Sequence, residues 1–262
     1  MTSSPAPSER WPALRGRRML VVGASSGIGR ALALLAAGAG AAVAVAARRL
    51  DELEATVSQA KAAGGAAQRL WCDVTEPQAA RSVAADAAQL LGGLDTVVFS
   101  SGVAPLGRLS DASAEEWEVV LATNVVGGAL VLAGALQPLR DAHGASGPRP
   151  SVVVLSTHIV ERPWPGIVPY AASKAALATV ARGLRGEEPW LRVLDVVVPN
   201  TTTPFADGWE KAAASEAVTA WANGGYLEGP VWSAEQTAAA VLDALVAEEG
   251  PDDVDLTALS TD

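Results

Sequence analysis

Residues 19–29 read MLVVGASSGIG, a short apolar run that leads into three glycines spaced Gly-x3-Gly-x-Gly. The apolar run has the length and composition of a buried strand, and the Ala- and Leu-rich residues after it are typical of a helix. Glycines between a strand and a helix allow a tight turn and a close approach of backbone to phosphate, which the free N–H groups of the helix can bind. The spacing is not Gly-x-Gly-x-x-Gly, but its position predicts a nucleotide-binding turn over an ordinary glycine-rich turn.

The same alternation of apolar strand and helix continues along the chain. Strands are predicted at 19–22, 43–46, 67–72, 96–99, 152–155 and 193–198, with helices between them and an irregularity near Gly127-Gly128. Near-continuous apolar strands predict a parallel sheet covered on both faces, so the fold class is a doubly wound α/β sheet. No linker interrupts the pattern, which indicates one domain over 17–262. Residues 1–16 are predicted to be a disordered tail, and 252–256 leave room for a short last strand.

Composition narrows the function classes. The formal charge of −10 and the pI near 4.7, without a basic cluster, exclude a nucleic-acid surface and an anionic membrane surface. One cysteine excludes an internal disulfide and a cysteine-based metal cluster, and two histidines exclude a three-histidine metal site. The apolar stretch 31–47 is short and broken by Gly38 and Gly40, so no membrane span is expected. With no signal-peptide pattern, a cytoplasmic location is expected.

The end of the second predicted strand bears on the cofactor. A carboxylate there would hold the ribose 2′-hydroxyl of NAD, but the chain has Arg48 and Arg49 instead. An arginine fork suits a 2′-phosphate, with Ser25 and Ser26 adding hydrogen bonds, which predicts NADP(H). The alternative is a solvated arginine pair at the start of a loop.

Tyr170 and Lys174 lie at i and i+4 in 168–176, VPYAASKAA, and share a face if the segment is helical. Pro169 suits the first turn of a helix. An ammonium beside a phenol stabilises the phenolate and is expected to lower the pKa of the tyrosine, which makes the pair a candidate general acid/base. The alternative is an amphipathic helix with a chance spacing.

Together these motifs resemble the short-chain dehydrogenase/reductase family over about residues 18–204. The resemblance implies a Rossmann-like sheet of about seven strands. It assigns catalysis to Tyr170, to Lys174, which also binds the nicotinamide ribose, to Thr157 holding the substrate oxygen, and to Asn124 holding a proton-relay water. The implied cofactor-binding residues are Gly23, Ser25, Ser26, Gly27, Ile28, Gly29, Arg48, Asp73, Val74, Ser101, Gly102, Asn124, Tyr170, Lys174, Pro199 and Thr203.

Three positions depart from the family pattern. Strand four ends Ser100-Ser101-Gly102 where the family has Asn-Ala-Gly, Thr157 replaces a serine, and Pro199-Asn200 replaces Pro-Gly. These departures keep open a non-redox enzyme, such as a cyclase, dehydratase or epimerase, and a nucleotide-sensing binding protein. His158 is either a second acid/base or a loop histidine without a chemical role.

The segment 204–232 corresponds to the variable lid over the nicotinamide in the family. It holds five of the twelve aromatic residues, including Phe205 and Trp209, and Trp164 would face the same site. This cluster predicts a sizeable apolar or aromatic carbonyl or alcohol substrate, with a hydrophobic core or a subunit interface as the alternatives. The expected activity is that of an NADP(H)-dependent oxidoreductase, with reduction as the favoured direction. A homodimer or homotetramer is expected by resemblance.

Overall fold

A computed structural model describes residues 5–143, 148–227, 229–247 and 249–258. Seven strands form one parallel sheet: β1 (Arg18–Val22), β2 (Ala42–Ala47), β3 (Ala66–Trp71), β4 (Thr96–Phe99), β5 (Ser151–Thr157), β6 (Arg192–Val198) and β9 (Asp253–Asp255). Their order in the sheet is β3-β2-β1-β4-β5-β6-β9. A separate two-stranded ladder joins β7 (Thr201–Thr202) to β8 (Trp232–Ser233). The predicted doubly wound parallel sheet is confirmed, including its short last strand.

Helices cover both faces of this sheet. They are α1 (Pro7–Arg10), α2 (Gly27–Gly38), α3 (Leu50–Ala62), α4 (Pro77–Leu91), α5 (Ala114–Leu121), α6 (Gly128–Ala142), α7 (Val168–Glu187), α8 (Lys211–Asn223) and α9 (Ala234–Val246). On β1, Met19 and Val21 pack in the core under α2, α3 and α9, while Leu20 and Val22 pack in the core under α4, α6 and α7. Successive strand residues face opposite sides, so a strand buried on both faces must be apolar throughout.

The N-terminal segment is ordered where the structure describes it, so the predicted tail over 1–16 is wrong for residues 5–16. Residues 1–4 lie outside the described residues. Trp11 and Leu14 are buried in the core that contains α2 and α9. The indole N–H of Trp11 and the guanidinium of Arg10 both donate to the carboxylate of Asp243 on α9. Burial of these two apolar side chains stabilises the segment, although its Ser- and Pro-rich composition predicted disorder.

The long helical stretch Ala114–Ala142 contains one π-helical segment, Ala122–Gly127, between α5 and α6. The sequence placed an irregularity near Gly127-Gly128, and the structure confirms one there. By length and composition alone, Ala114–Ala142 could cross a bilayer, and 44% of its most apolar 18-residue window is buried within the protein. Its inner side packs on the sheet as a core helix does. Length and composition are therefore weak evidence for a membrane span here.

The strand order creates the site. β1 lies between β2 and β4, so the chain winds outward in opposite directions on the two sides of β1. In such a sheet the loops after the neighbouring strands diverge and leave a crevice at the carboxyl ends. The glycine turn after β1, the loop after β4 and the end of β5 all open onto this crevice.

Candidate active site

A cavity of about 930 Å³ runs along the carboxyl ends of the strands. Of the residues predicted from the sequence for catalysis, cofactor binding or substrate binding, only Asn124 does not line it. The structure thus brings the glycine turn, Arg48, Asp73, Tyr170 and the lid aromatics to one space. Residues outside that predicted set also line the cavity: Arg49, Ser100, Val103, Ala104, Ile167 and Trp221.

The glycine turn presses against the end of β4. A Cβ on Gly23, which has φ +92°, would stand 2.6 Å from the backbone nitrogen of Ser101. A Cβ on Gly29 would stand 2.2 Å from the hydroxyl oxygen of Ser100 and 2.5 Å from the carbonyl oxygen of Gly23. Ser100 Oγ itself donates to the carbonyl of Val22 at 3.0 Å. Only glycine allows this approach of the two loops.

The turn leaves a helix start facing the cavity. α2 begins at Gly27, and the side chain of Ser26, its N-cap residue, makes no capping hydrogen bond. The first N–H groups of α2 are therefore not used by that side chain and can bind an anion. Thr203 closes the other side, since a Cβ on Gly27 would lie 3.3 Å from its side chain.

The two arginines after β2 divide their contacts in a way the sequence did not resolve. Arg49 Nη2 donates to Ser25 Oγ and Ser26 Oγ, both at 3.0 Å. Arg48 Nη1 instead lies 3.8 Å from a carboxylate oxygen of Asp73. The predicted cofactor-binding residues include Arg48 with the two serines but not Arg49. The structure shows that Arg49 is the arginine that contacts the serines. The adjacent Arg48-Arg49 pair was the available signal, but which guanidinium turns to the serines depends on tertiary placement.

Asn124 is buried behind the cavity wall in the π-helical segment. Its Nδ2 donates to the carbonyl of Val103 and to Ser173 Oγ, both at 2.9 Å, and its Oδ1 accepts from the N–H of Val103 at 2.8 Å. Ser173 Oγ in turn donates to the carbonyl of Tyr170 at 2.7 Å. The side chain thus ties the loop after β4 to the first turn of α7. Both of its amide donors are used within the protein.

Tyr170 and Lys174 lie on the first turns of α7, which begins at Val168 with Pro169 in its first turn. Lys174 Nζ is 5.8 Å from the centre of the Tyr170 ring and donates to the carbonyl of Leu155 at 2.9 Å. Burial lowers the pKa of Lys174 to about 8, and Asp195 partly opposes that shift. The shared face predicted from the i, i+4 spacing is confirmed.

The expected lowering of the Tyr170 pKa is wrong for this structure. Burial raises the pKa of Tyr170 above its ordinary value, because a phenolate there would lose its contact with water. The Lys174 ammonium, 5.8 Å from the ring centre and bonded to the carbonyl of Leu155, does not outweigh this effect of burial. The phenol therefore remains protonated at neutral pH.

Thr157 ends β5 on the cavity wall, and its Oγ1 accepts from the N–H of Ile159 at 3.5 Å. That long contact leaves the hydroxyl proton available for a partner in the cavity. His158 follows it, with Nδ1 3.5 Å from the carbonyl of Val198 and its ring 5.7 Å from that of Trp164. His158 lines the cavity next to Thr157.

The lid aromatics separate into two groups. Phe205, Trp209 and Trp221 line the cavity, whereas Tyr226 and Trp232 do not. Trp221 is also buried with Trp164 in a small core beneath the lid. The core interpretation is confirmed for Trp221, and the substrate interpretation stays a prediction for the rings that line the cavity.

No group of three or more His, Cys, Asp or Glu side chains in the described ranges is placed to hold a metal ion.

Comparison with known proteins gives a consistent result. Residues 17–213 match the family model described as short chain dehydrogenase. A short chain dehydrogenase of Pseudocercospora fijiensis is 36% identical over 186 residues, which are 70% of this chain and 58% of that protein. The chain thus spans less than two thirds of that relative. The 3beta-hydroxysteroid dehydrogenase 1 of Eggerthella lenta is 30% identical over 227 residues, 83% of each protein.

A similar fold occurs in a solved structure with bound cofactor. The crystal structure of a short chain dehydrogenase from Burkholderia cenocepacia in complex with NADP has a TM-score of 0.79 and 27% identity. The match covers 93% of this chain and 97% of that one.

Proposed function

Because the chain belongs to the short-chain dehydrogenase family, a family of oxidoreductases, we propose that it is an NADP(H)-dependent carbonyl reductase. The substrate is a sizeable apolar or aromatic carbonyl compound, or the alcohol in the reverse direction. The observation that carries the proposal is that Tyr170, Lys174 and Thr157 line the cavity that begins at the glycine turn, with Lys174 bonded to Leu155 of β5. These groups supply a proton donor, a cation and a second hydroxyl to the same cavity.

At the end of the cavity formed by the glycine turn, the residues fit a phosphorylated dinucleotide. Gly23 and Gly29 let the backbone come close, and the start of α2 offers N–H groups to a pyrophosphate. Arg49, Ser25 and Ser26 form a cationic, hydroxyl-rich group suited to a 2′-phosphate. Arg48 and Asp73 would flank the adenine side. The NADP in the relative from Burkholderia cenocepacia supports the same choice.

The chemistry of the chain's own groups favours reduction. When bound, the reduced nicotinamide supplies the hydride that adds to the carbonyl carbon. The Tyr170 phenol gives its proton to the carbonyl oxygen, and the Thr157 hydroxyl donates a hydrogen bond to the same oxygen. The raised pKa of Tyr170 keeps the proton in place until that transfer, as a general acid requires. The Lys174 ammonium beside the ring then stabilises the phenolate that remains.

Turnover of ketones tests this proposal. Purified protein is mixed with NADPH and a panel of bulky ketones, and loss of the reduced-nicotinamide absorbance is followed. Replacing Tyr170 by Phe is expected to lower kcat by roughly 10²- to 10⁴-fold while NADPH still binds. No turnover by the unaltered protein, with NADPH bound, would reject the reductase and favour the non-redox or nucleotide-sensing alternatives.

Cofactor choice has a separate test. Replacing Arg49 by Gln is expected to weaken NADPH binding roughly tenfold or more and to leave NADH binding nearly unchanged, because one charged contact to a phosphate is lost. The matched variant Arg48→Gln should have the smaller effect. If Arg48→Gln loses more affinity for NADPH than Arg49→Gln, the 2′-phosphate contact belongs to Arg48 instead.

We also propose that copies of this chain associate as a homodimer or homotetramer. The support is the family resemblance together with exposed apolar side chains on the helical stretch 114–142, among them Val119 and Val126. Light scattering measures the state, and a monomer at micromolar concentration would reject it.

A further inference from the structure

Aromatic rings follow one another without a break from the reaction centre into the lid. The Tyr170 ring centre is 5.0 Å from that of Phe205, which is 6.3 Å from that of Trp209. Trp209 is 6.0 Å from Trp221, and Trp221 is 4.9 Å from Trp164. These separations and the tilted or edge-on angles are those that aromatic pairs prefer. The rings form a continuous structure that starts at the candidate proton donor.

The rings differ in how much of each reaches the cavity. Trp164 and Trp221 line the cavity but are only 8% and 3% exposed, so little of either ring is open to a ligand. Phe205 is 39% exposed, and Trp209 is half-buried on the cavity side. The two rings that a substrate meets beside Tyr170 are therefore those of Phe205 and Trp209.

Trp209 is held in one orientation. Its indole N–H donates to the carbonyl of Ala104, in the loop after β4, at 2.6 Å. Trp221, whose own N–H donates to the carbonyl of Pro165 at 2.8 Å, packs against it edge-on. A ring fixed by a hydrogen bond and by a buried neighbour loses little freedom when a ligand packs on it. Since the N–H is used, Trp209 offers the cavity only its aromatic surface.

Apolar side chains accompany these rings. Leu227 and Val231 line the lid side of the same cavity. They add apolar area against which a neutral substituent can be buried.

We propose that Phe205 and Trp209 form a recognition site for a planar aromatic ring placed close to the reacting carbonyl, so that the enzyme prefers aryl-bearing ketones over saturated ones of the same size. This inference rests on the proposed function, whose site it specifies. Burial of area alone does not distinguish a phenyl from a cyclohexyl group. An aromatic partner adds interaction beyond the area, which corresponds to about a two- to twelvefold preference.

The test uses phenylacetone and cyclohexylacetone, in which the ring stands one carbon away from the ketone and does not conjugate with it. With NADPH, kcat/KM for the phenyl compound is expected to exceed that for the cyclohexyl compound by about two- to twelvefold. Trp209→Leu is expected to bring this ratio close to one, while Trp209→Phe keeps most of it. Trp190, half-buried with its indole N–H bonded to Glu188, lies away from the cavity, and Trp190→Leu serves as the matched control that keeps the ratio.

A ratio of one in the unaltered protein, or a ratio that Trp209→Leu leaves unchanged, would overturn the proposal. If Trp209→Leu does not fold, as judged by its melting temperature, Phe205→Leu takes its place, because Phe205 is exposed and its replacement leaves no buried cavity. If neither ketone is reduced, the reductase is rejected, and calorimetric titration of the same two ketones into protein loaded with NADP⁺ still decides on the aromatic site. Equal affinities there would reject it.

Discussion

The two ends of the cavity are built in different ways. At the glycine turn the backbones of two loops touch, and the clearances around Gly23 and Gly29 leave no room for a methyl group. At the lid the wall consists of side chains, mainly aromatic rings, joined to the rest of the protein by single hydrogen bonds from Trp209 and Trp221. A site built from backbone suits the part of a ligand that does not vary, here the phosphates of the cofactor. A wall of side chains can differ between related proteins and so suit different substrates.

The difference also concerns rigidity. The glycine turn is continuous with β1 and α2, whose side chains lie in the main core. The lid rests on a satellite core of few residues, among them Trp164 and Trp221. Elements with few buried contacts open at lower free energy than the elements of the main core. We therefore expect substitutions at the first end to act on the whole fold and those at the second to act locally.

The largest effect is expected for Gly29→Ala. Its Cβ would meet the hydroxyl of Ser100 and the carbonyl of Gly23, so the two loops must separate, which we expect to cost about 3 kcal/mol of unfolding free energy and to weaken NADPH binding. Gly208→Ala is the lid counterpart, because nothing lies within 4 Å of its Cβ. Urea unfolding and NADPH titration measure both. Similar losses in the two variants would contradict the contrast between the ends.

A second prediction concerns Lys174, a buried cation on the wall of the cavity. Its pKa of about 8 in the folded chain is below the ordinary lysine value of 10.5, so above pH 8 the unfolded chain holds more protons and stability rises with pH until about 10.5. Lys174→Met removes the buried charge and is expected to raise the unfolding free energy at pH 7 by about 2 kcal/mol in the absence of cofactor. The gain should shrink between pH 8 and 10.5. A gain that does not change with pH would mean that the ammonium is not the cause.

A smaller effect is expected for Ser173→Ala. The substitution removes the link from Asn124 to the first turn of α7 and leaves an amide donor of Asn124 unpaired, at a cost of about 1 kcal/mol. We expect kcat to fall more than KM rises, because the substitution displaces Tyr170. Thr179→Ala is the matched control, since its hydroxyl bonds to a carbonyl of the same helix but is exposed. Equal kinetic effects of the two would exclude a positioning role for Ser173.

The smallest global effect is expected in the lid. Arg162 donates to the carbonyls of Gly224 and Gly225 and stacks on Tyr226 at 4.1 Å. Arg162→Ala should change the unfolding free energy by only about 0.5 kcal/mol, because these contacts are at the surface. Hydrogen exchange should nevertheless quicken at residues 220–226. Unchanged exchange there would show that the contacts of Arg162 do not hold the end of α8.

Much of this arrangement follows from local sequence. The strands were predicted to within two residues at each end, because apolar runs between helices have few other solutions in an α/β fold. The shared face of Tyr170 and Lys174 was equally predictable from their i, i+4 spacing. The ordered N-terminal segment was not, because Trp11 finds its partner Asp243 more than two hundred residues later.

The residue types of the site could be predicted from the sequence, but several of their contacts could not. The sequence predicted an arginine beside Ser25 and Ser26, but the choice between Arg48 and Arg49 depends on how the chain leaves β2 and enters α3. It also predicted a lowered pKa for Tyr170 from the nearby lysine, whereas burial of the phenol reverses the direction. Distances in sequence do not report desolvation.

The sequence by itself determined the order of strands and helices, the glycine turn and the residue types gathered at the strand ends, because periodicity and backbone freedom are local properties. Only the tertiary structure decided that Arg49 donates to the two serines and that the side-chain amide of Asn124 bonds within the protein behind the cavity wall. It also decided that the ring of Trp209 lines the cavity. Each of these outcomes depends on hydrogen-bond partners and burial supplied by segments far away in the chain. Such contacts exist only once the sheet has brought its loops together.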